Sequence, residues 1–340
     1  MKPTTTGDVL ELMEGYIASA ALGAAMELGL FWLLAEQPQD AAGVGKALGI
    51  PEKRCEYWLE LLSNMGLLVQ VAKAYAPSSV ARTAILEAYR QETWALLAQE
   101  AREQLPAVCD LALRLRQADS RSAPRELTLQ DYVARMEENA ERAHRFTRML
   151  FEIHRPLADE LANALDVTGV KRLMDVGGGS GVMSLALLRR HPQLTATVVD
   201  IANVCVAGRQ IAVENSLEDR LAHHAADFLQ DELPSGFDMV LECDVGVYGE
   251  ALFRKLGAAL NPRGRLVIVD MLATAEGLAP RSRLHWALRD SLGDPDFSIP
   301  TVVRVQAMLT QAGLQLLSEH TLSSGWSVIE ARKRAPGGGR

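Results

Sequence analysis

The chain is short of three things, and each shortage excludes something. Cysteine is scarce: four residues in 340, at positions 55, 109, 205 and 243, with no C-x-x-C pair. That excludes a disulfide framework and a cysteine zinc site, and it predicts a reducing, cytoplasmic compartment. Basic charge is scarce, with 35 Lys and Arg against 43 Asp and Glu and a net charge of -8. Phosphate contacts need a basic face, so no nucleic-acid partner is expected, and an anionic membrane surface is disfavoured. Long apolar runs are also missing: none approaches bilayer length, and no basic-then-apolar signal segment opens the chain, so no membrane partner is expected. The remainder is ordinary for a globular protein, 48% apolar and 23% charged, with room for two domains.

One stretch organises the rest. Residues 173–190 start as a short apolar run, break into glycines, and resume with helical spacing at Met183, Leu187 and Leu188. The pattern is strand, tight turn, helix, the opening of a nucleotide-type α/β domain. The glycines fall as Gly177-x-Gly179-x-Gly181, and Val182 stands where the dinucleotide motif wants its last glycine. Asp175 ends the strand, where a carboxylate suits a cationic ligand better than a pyrophosphate. The next strand ends in Asp200, 21 residues past Gly179, where an acid can accept both ribose hydroxyls. A nucleoside with a cationic tail and no phosphates fits these residues, and S-adenosylmethionine is that cofactor.

Ahead of this stretch the chain reads as helices. Residues 8–35 give two, apolar on more than one face, which predicts packing against a second copy of the chain. Residues 38–77 read as two short helices and a hairpin, a winged helix-turn-helix. Its second helix carries Glu52, Lys53, Arg54, Glu56 and Glu60, so it offers no positive face to DNA. A loop is expected from Ala118 to Arg125. One long helix is expected from Leu127 to Leu165, with Met136, Ala140, Ala143, Thr147, Leu150 and His154 on one face. Strands are expected near 172–176, 194–200, 221–226, 238–243, 264–271, 314–320 and 326–332. Helices alternate with the first five, which predicts a mostly parallel sheet.

These motifs together resemble the two-domain, S-adenosylmethionine-dependent O-methyltransferases of plants and of bacterial natural-product pathways. The matching segments are Asp175–Gly181, Asp200–Val204, Ala226–Leu229, Phe237–Leu241 and Pro262–Asp270. The resemblance implies a winged-helix-like, helical dimerisation domain over residues 1–118, a connecting loop and pocket helix over 119–169, and a Rossmann-like, seven-stranded methyltransferase domain over 170–333. Residues 334–340 are expected to be a disordered tail. It also implies a homodimer and a small-molecule acceptor. Carried over by position, Gly177 and Gly179 serve the methionine part of the cofactor, Asp200 the ribose, and Asp227 and Phe228 the adenine; Asp175, Ile201 and Cys243, at the end of the fourth strand, are also expected to bind the cofactor. Met136, Thr147, Leu150 and His154 are expected to line the acceptor pocket.

The chain departs from the family where the chemistry is done. Relatives carry His-Asp-Trp after the fourth strand, and the histidine deprotonates the acceptor hydroxyl. Here Leu241–Leu252 holds no histidine. Tyr248 in that loop and His285 in a later helix resemble the arrangement of the bacteriochlorophyllide C-20 methyltransferase branch, and so does the stretch Phe151–Arg155. Tyr248 and His285 are the catalytic candidates on that ground. Glu242 and Asp244 lie beside them, too weak a set with His285 to predict a metal. The expected reaction is methyl transfer to a small aromatic or polyketide-like molecule, at oxygen by family precedent or at carbon because the histidine is gone. The alternative is a family member that keeps the cofactor for hydroxylation, decarboxylation or pericyclic chemistry without transferring methyl.

Overall fold

The computed structural model describes residues 2–117, 129–277, 280–294 and 296–333. The loop expected from 118 to 125 and the tail at 334–340 lie outside the described residues. The chain divides into two compact units, Met1–Asp110 and Leu111–Arg340.

The first unit holds α1 (Thr6–Glu27), α2 (Leu30–Glu36), α3 (Ala41–Leu48), α4 (Glu52–Asn64), the hairpin β1 (Leu68–Val71) and β2 (Ala74–Pro77), a short α5 (Ser79–Ala81) running into a wide turn at Arg82–Leu86, and α6 (Gln91–Cys109). Thr5 starts α1 with a reciprocal cap: its hydroxyl accepts from Asp8 N, and Asp8 reaches back to Thr5 N. The core of this unit gathers Phe31, Leu34, Leu59 and Leu62. Most of α1 stays outside it. Leu10, Leu12, Met13 and Tyr16 are all exposed. One sequence expectation needs correction here. By length and composition α1 is apolar enough to cross a membrane, because no charge falls between Glu14 and Glu27 and its many Ala and Gly residues are mildly apolar.

The second unit starts with α7 (Leu111–Arg114) and continues with α8 (Leu129–Glu138) and α9 (Ala140–Ala164). The single long helix expected over 127–165 is therefore two. Asn139 breaks it: its backbone is extended, and its side chain accepts from Arg142 N at 2.9 Å, capping a new helix. The carbonyls of Met136 and Glu137, left open by the break, accept from the Asn203 amide at 2.9 Å each. Periodicity alone missed the break because the apolar spacing runs on across it.

The sheet follows: β3 (Arg172–Val176), α10 (Val182–Arg190), β4 (Thr195–Asp200), α11 (Ala202–Glu214), β5 (Leu221–Ala225), β6 (Phe237–Cys243), α12 (Glu250–Ala259), β7 (Leu260–Asp270), α13 (Leu284–Gly293), α14 (Val302–Gln311), β8 (Leu314–Thr321) and β9 (Ser327–Lys333). The strand order is β5-β4-β3-β6-β7-β9-β8. The first five run parallel, and β9 is antiparallel to both β7 and β8. Apolar residues cover both faces, as a parallel sheet requires: one face packs under α9, α10 and α11, the other under α12 and α14. The winding reverses between β3 and β6, so a crevice opens at their carboxyl ends, where ligands of such sheets bind.

Helix α11 can approach the glycine turn only because residue 208 is glycine. A Cβ there would stand 2.4 Å from His223 Nε2 and 2.9 Å from the Gly179 carbonyl oxygen. Gly208→Ala is expected to cost about 1–3 kcal/mol of stability by overpacking and to weaken cofactor binding by displacing the turn. A thermal melt, and calorimetry with S-adenosylhomocysteine, check both.

Candidate active site

The turn after β3 is held from below and from the side. Asp175 is fully buried beneath it. One carboxylate oxygen accepts from the Ser184 hydroxyl at 2.7 Å, and Oδ1 has no protein partner. Burial pushes its pKa up to about 6. Gly177 has φ +64, and a Cβ there would stand 2.7 Å from Val245 Cγ2 and 3.6 Å from Phe228 Cε1. The turn is thus a backbone cradle closed by the loop after β6, one that a side chain would fill.

Asp200 fixes the other wall. Its Oδ2 accepts from Gly179 N at 2.9 Å and its Oδ1 from Ile201 N at 2.8 Å. Each oxygen keeps a second lone pair for a ligand hydroxyl. Burial pushes its pKa up to about 6 also. Ile201 is buried against Met136, Ala143 and Val204, with Tyr132 and Phe146 packed on the group. Asp227 makes a local turn, Oδ1 accepting from Leu229 N at 2.9 Å. No helix follows it directly, so its carboxylate is not a helix cap. Phe228 is half-buried and turns its ring toward the glycine turn. An acid for ribose hydroxyls, an acid and a ring for adenine, an unpaired buried carboxylate oxygen and an open backbone cradle are a donor set that fits S-adenosylmethionine.

A second polar group lies at the carboxyl ends of β6 and β7. Asp244 leaves β6 with φ +56, a strained backbone for a residue with a side chain, held by its N–H on Val269 O at 2.9 Å. His154 Nε2 lies 2.9 Å from Asp244 Oδ2, and its Nδ1 lies 3.0 Å from the Leu150 carbonyl oxygen. Both ring nitrogens therefore face acceptors. Arg283 donates to Asp244 Oδ1 at 2.7 Å and lies 3.6 Å from Asp270. Against partial desolvation, the His154 hydrogen bond and the Arg283 guanidinium hold the Asp244 carboxyl below its usual range. Tyr248 donates its hydroxyl to Asp270 Oδ2. Burial, then the charge of Asp244, raises the Asp270 pKa. Burial and the neighbouring acids raise the Tyr248 phenol far above its ordinary value. Glu242 is buried, and burial beside Asp270 and Asp244 pushes it well up, toward the neutral acid.

The structure separates the sequence candidates. Tyr248 and His154 enter this polar group. His285 does not: it is exposed on α13, two residues past Arg283, which turns inward. Met136 and Thr147 are buried, at 2% and 1% exposure, while Leu150 is half-buried. Cys243 lies against the α9 side of the sheet, its thiol pushed well up by burial and surrounding acids, so it is no nucleophile. Among the described residues no three His, Cys, Asp or Glu side chains gather to hold a metal. Sequence reasoning missed Asp270 and Arg283. Asp270 had a usable signal, an acid ending a parallel strand like Asp175 and Asp200. Arg283 had none.

The profile of the O-methyltransferase domain matches residues 128–292, and that of the O-methyltransferase dimerisation domain matches residues 10–86. A 3-hydroxy-5-methyl-1-naphthoate 3-O-methyltransferase of Streptomyces sahachiroi is 33% identical over 79% of this chain and 78% of its own length. The chain belongs to the S-adenosylmethionine-dependent O-methyltransferase family. The N,N-dimethyltransferase OxyT of Streptomyces rimosus is 27% identical over 95% of this methyltransferase and 96% of its own length. Human N-acetylserotonin methyltransferase, solved with S-adenosylmethionine, shares the fold with TM-score 0.80 at 20% identity, covering 98% of this chain and all of its own. The mitomycin 7-O-methyltransferase MmcR does so with TM-score 0.79 at 22% identity, over 96% of this chain and 97% of its own. S-adenosylmethionine is the cofactor of this methyltransferase, and the dimerisation profile covers the exposed apolar face of α1.

Proposed function

We propose that this methyltransferase methylates a hydroxyl on a small aromatic, polyketide-like natural product, with Tyr248 and Asp270 as its proton relay. The observation that carries the reading is the Tyr248 hydroxyl donating to a buried Asp270 at the strand ends, in the loop that closes on the glycine turn.

S-adenosylmethionine supplies an electrophilic sulfonium methyl. The chain must align an acceptor atom with it, exclude water and take up the acceptor's proton. Gly177, Gly179 and Asp175 would receive the methionine end, Asp200 the ribose, and Asp227 with Phe228 the adenine. Tyr248 is too strongly held as a phenol to serve as a free phenolate base. It can instead pass a proton on. As the acceptor O–H breaks, Tyr248 Oη takes that proton and releases its own to Asp270 Oδ2. Burial makes Asp270 a stronger base than an ordinary carboxylate. His154 has both ring nitrogens engaged and serves as a strut between α9 and Asp244.

The acceptor class rests on the naphthoate and tetracenomycin O-methyltransferases among the relatives. Carbon methylation is the second reading, favoured by the absence of a free base of ordinary strength and by a relative named L-tyrosine C(3)-methyltransferase. Incubation with deuteromethyl S-adenosylmethionine and a panel of hydroxynaphthoates, phenolic polyketides and tyrosine tests both. An O-methyl ether supports the first, a label on ring carbon the second, and conversion of the acceptor with S-adenosylmethionine left intact the non-transfer alternative.

The exposed residues of α1, with the dimerisation profile over them, support a homodimer. Light scattering is expected to give about twice the 37.1 kDa chain mass. A value near one chain would remove this part of the proposal.

A further inference from the structure

Helix α13 lacks the usual means of staying put. None of its residues is buried, and Leu284, Trp286 and Leu288 are 50%, 37% and 44% exposed. A helix with no apolar face in a core needs specific anchors. Arg283, immediately before it, supplies them. Its guanidinium reaches Asp244 at the end of β6 and Asp270 at the end of β7. The same guanidinium lies over Trp286 at 5.0 Å and over Trp326 at 5.5 Å, and its Nε faces Met271 Sδ at 3.4 Å. Trp326 in turn meets the edge of His154 at 6.4 Å. One side chain thus ties the lead-in to α13 to both strand ends, to α9 through His154, and to the turn before β9.

We propose that Arg283 is a positioning residue for methyl transfer, a latch that seats the 281–293 segment on the strand ends and sets its charge against Asp270, the proton acceptor. The second half rests on the Tyr248–Asp270 reading; the first does not. The groups around the latch fix the sign of its effect. Asp270 faces the acids Glu242 and Asp244 from β6 and its loop, the Tyr248 hydroxyl, the Met271 N–H and Arg283. Arg283 also faces Asp290 from α13. Arg283 is therefore the one cation among the described groups that opposes proton uptake by Asp270. Without it the neighbouring acids act unopposed, and Asp270 takes up a proton at higher pH.

Three variants of the full chain test this: Arg283→Met, Arg283→Lys and Tyr248→Phe. Hydrogen exchange of the 284–293 amides, followed by mass spectrometry with S-adenosylhomocysteine bound, needs no acceptor. Arg283→Met is expected to speed that exchange at least tenfold while S-adenosylhomocysteine affinity stays within twofold of wild type. With 3-hydroxy-1-naphthoate as acceptor, the acid limb of kcat/KM is expected to move up by about one pH unit. Arg283→Lys is expected to restore the acid limb but not the exchange protection, because an ammonium neither forks between two carboxylates nor stacks as a guanidinium does. Wild-type exchange in Arg283→Met overturns the latch, and an unmoved acid limb overturns its effect on Asp270. A Tyr248→Phe enzyme with wild-type kcat would sink the relay reading alone and leave the exchange result standing.

Discussion

Tyr248→Phe and Asp270→Asn are each expected to lower kcat by about 10²–10⁴, the usual contribution of a positioned acid or base, with S-adenosylmethionine affinity nearly unchanged. The first removes the hydroxyl proposed to meet the acceptor and keeps the ring against Phe253. The second keeps the shape and hydrogen-bonding reach of residue 270 and removes its capacity to take a proton. The two sites act as one unit, so the double variant is expected to lose little more than the worse single one. Single-turnover rates with the hydroxynaphthoate acceptor measure the effect. Equal rates in all three proteins would mean that the acceptor arrives already ionised or is methylated at carbon. His285→Ala is the comparison: an exposed imidazole with no partner among the described residues is expected to change kcat by less than threefold, on the order of an ordinary surface substitution.

Asp200→Ala is expected to weaken S-adenosylmethionine and S-adenosylhomocysteine binding by two orders of magnitude or more. The carboxylate accepts from Gly179 N and Ile201 N and keeps a lone pair on each oxygen for the proposed ribose contact. Losing a charged acceptor from two N–H groups, and the ribose contacts with it, amounts to about 3 kcal/mol or more, and each 1.4 kcal/mol is a tenfold change in Kd. Calorimetry measures it directly. A pH series gives an independent check with a definite sign. Asp200 and Asp175 both have pKa values raised to about 6 by burial. Below that pH the empty protein holds protons that a cationic cofactor must displace, so affinity falls as pH drops through 6, by up to about tenfold per unit for each group. Above pH 7 both groups are ionised and affinity levels off. Asp200→Asn is expected to flatten part of this dependence.

The proton relay and the latch share one design problem. A loop without histidine must still bring charge and protons to the acceptor end of the sheet. This chain gathers four acids there, Glu242, Asp244, Asp270 and, beneath the turn, Asp175, against Arg283 and His154. Gathering that many carboxylates is tolerable only when each is paired or shifted toward its neutral form. Glu242 is shifted toward the neutral acid, Asp244 is paired twice, and Asp270 is held by Tyr248 and Arg283.

Much of this protein was determined by local sequence. Strand periods, the three glycines and the acids at Asp175 and Asp200 report short-range constraints: a turn needs residues that accept positive φ, and a parallel strand buried on both faces reads as an apolar run. The seven strands therefore fall within a few residues of their expected places, and the winged unit before them likewise. Tertiary structure decided what depends on residues far apart in the chain. The break at Asn139 needs Asn203, more than 60 positions later, to satisfy the open carbonyls. One partner of Asp244 is His154, from a helix 90 residues earlier. Arg283 matters because the ends of β6 and β7 lie side by side, and pairing between strands sets that, not spacing along the chain. His285 has the better sequence credentials and Arg283 the better position, because only packing decides which side of a short helix turns inward.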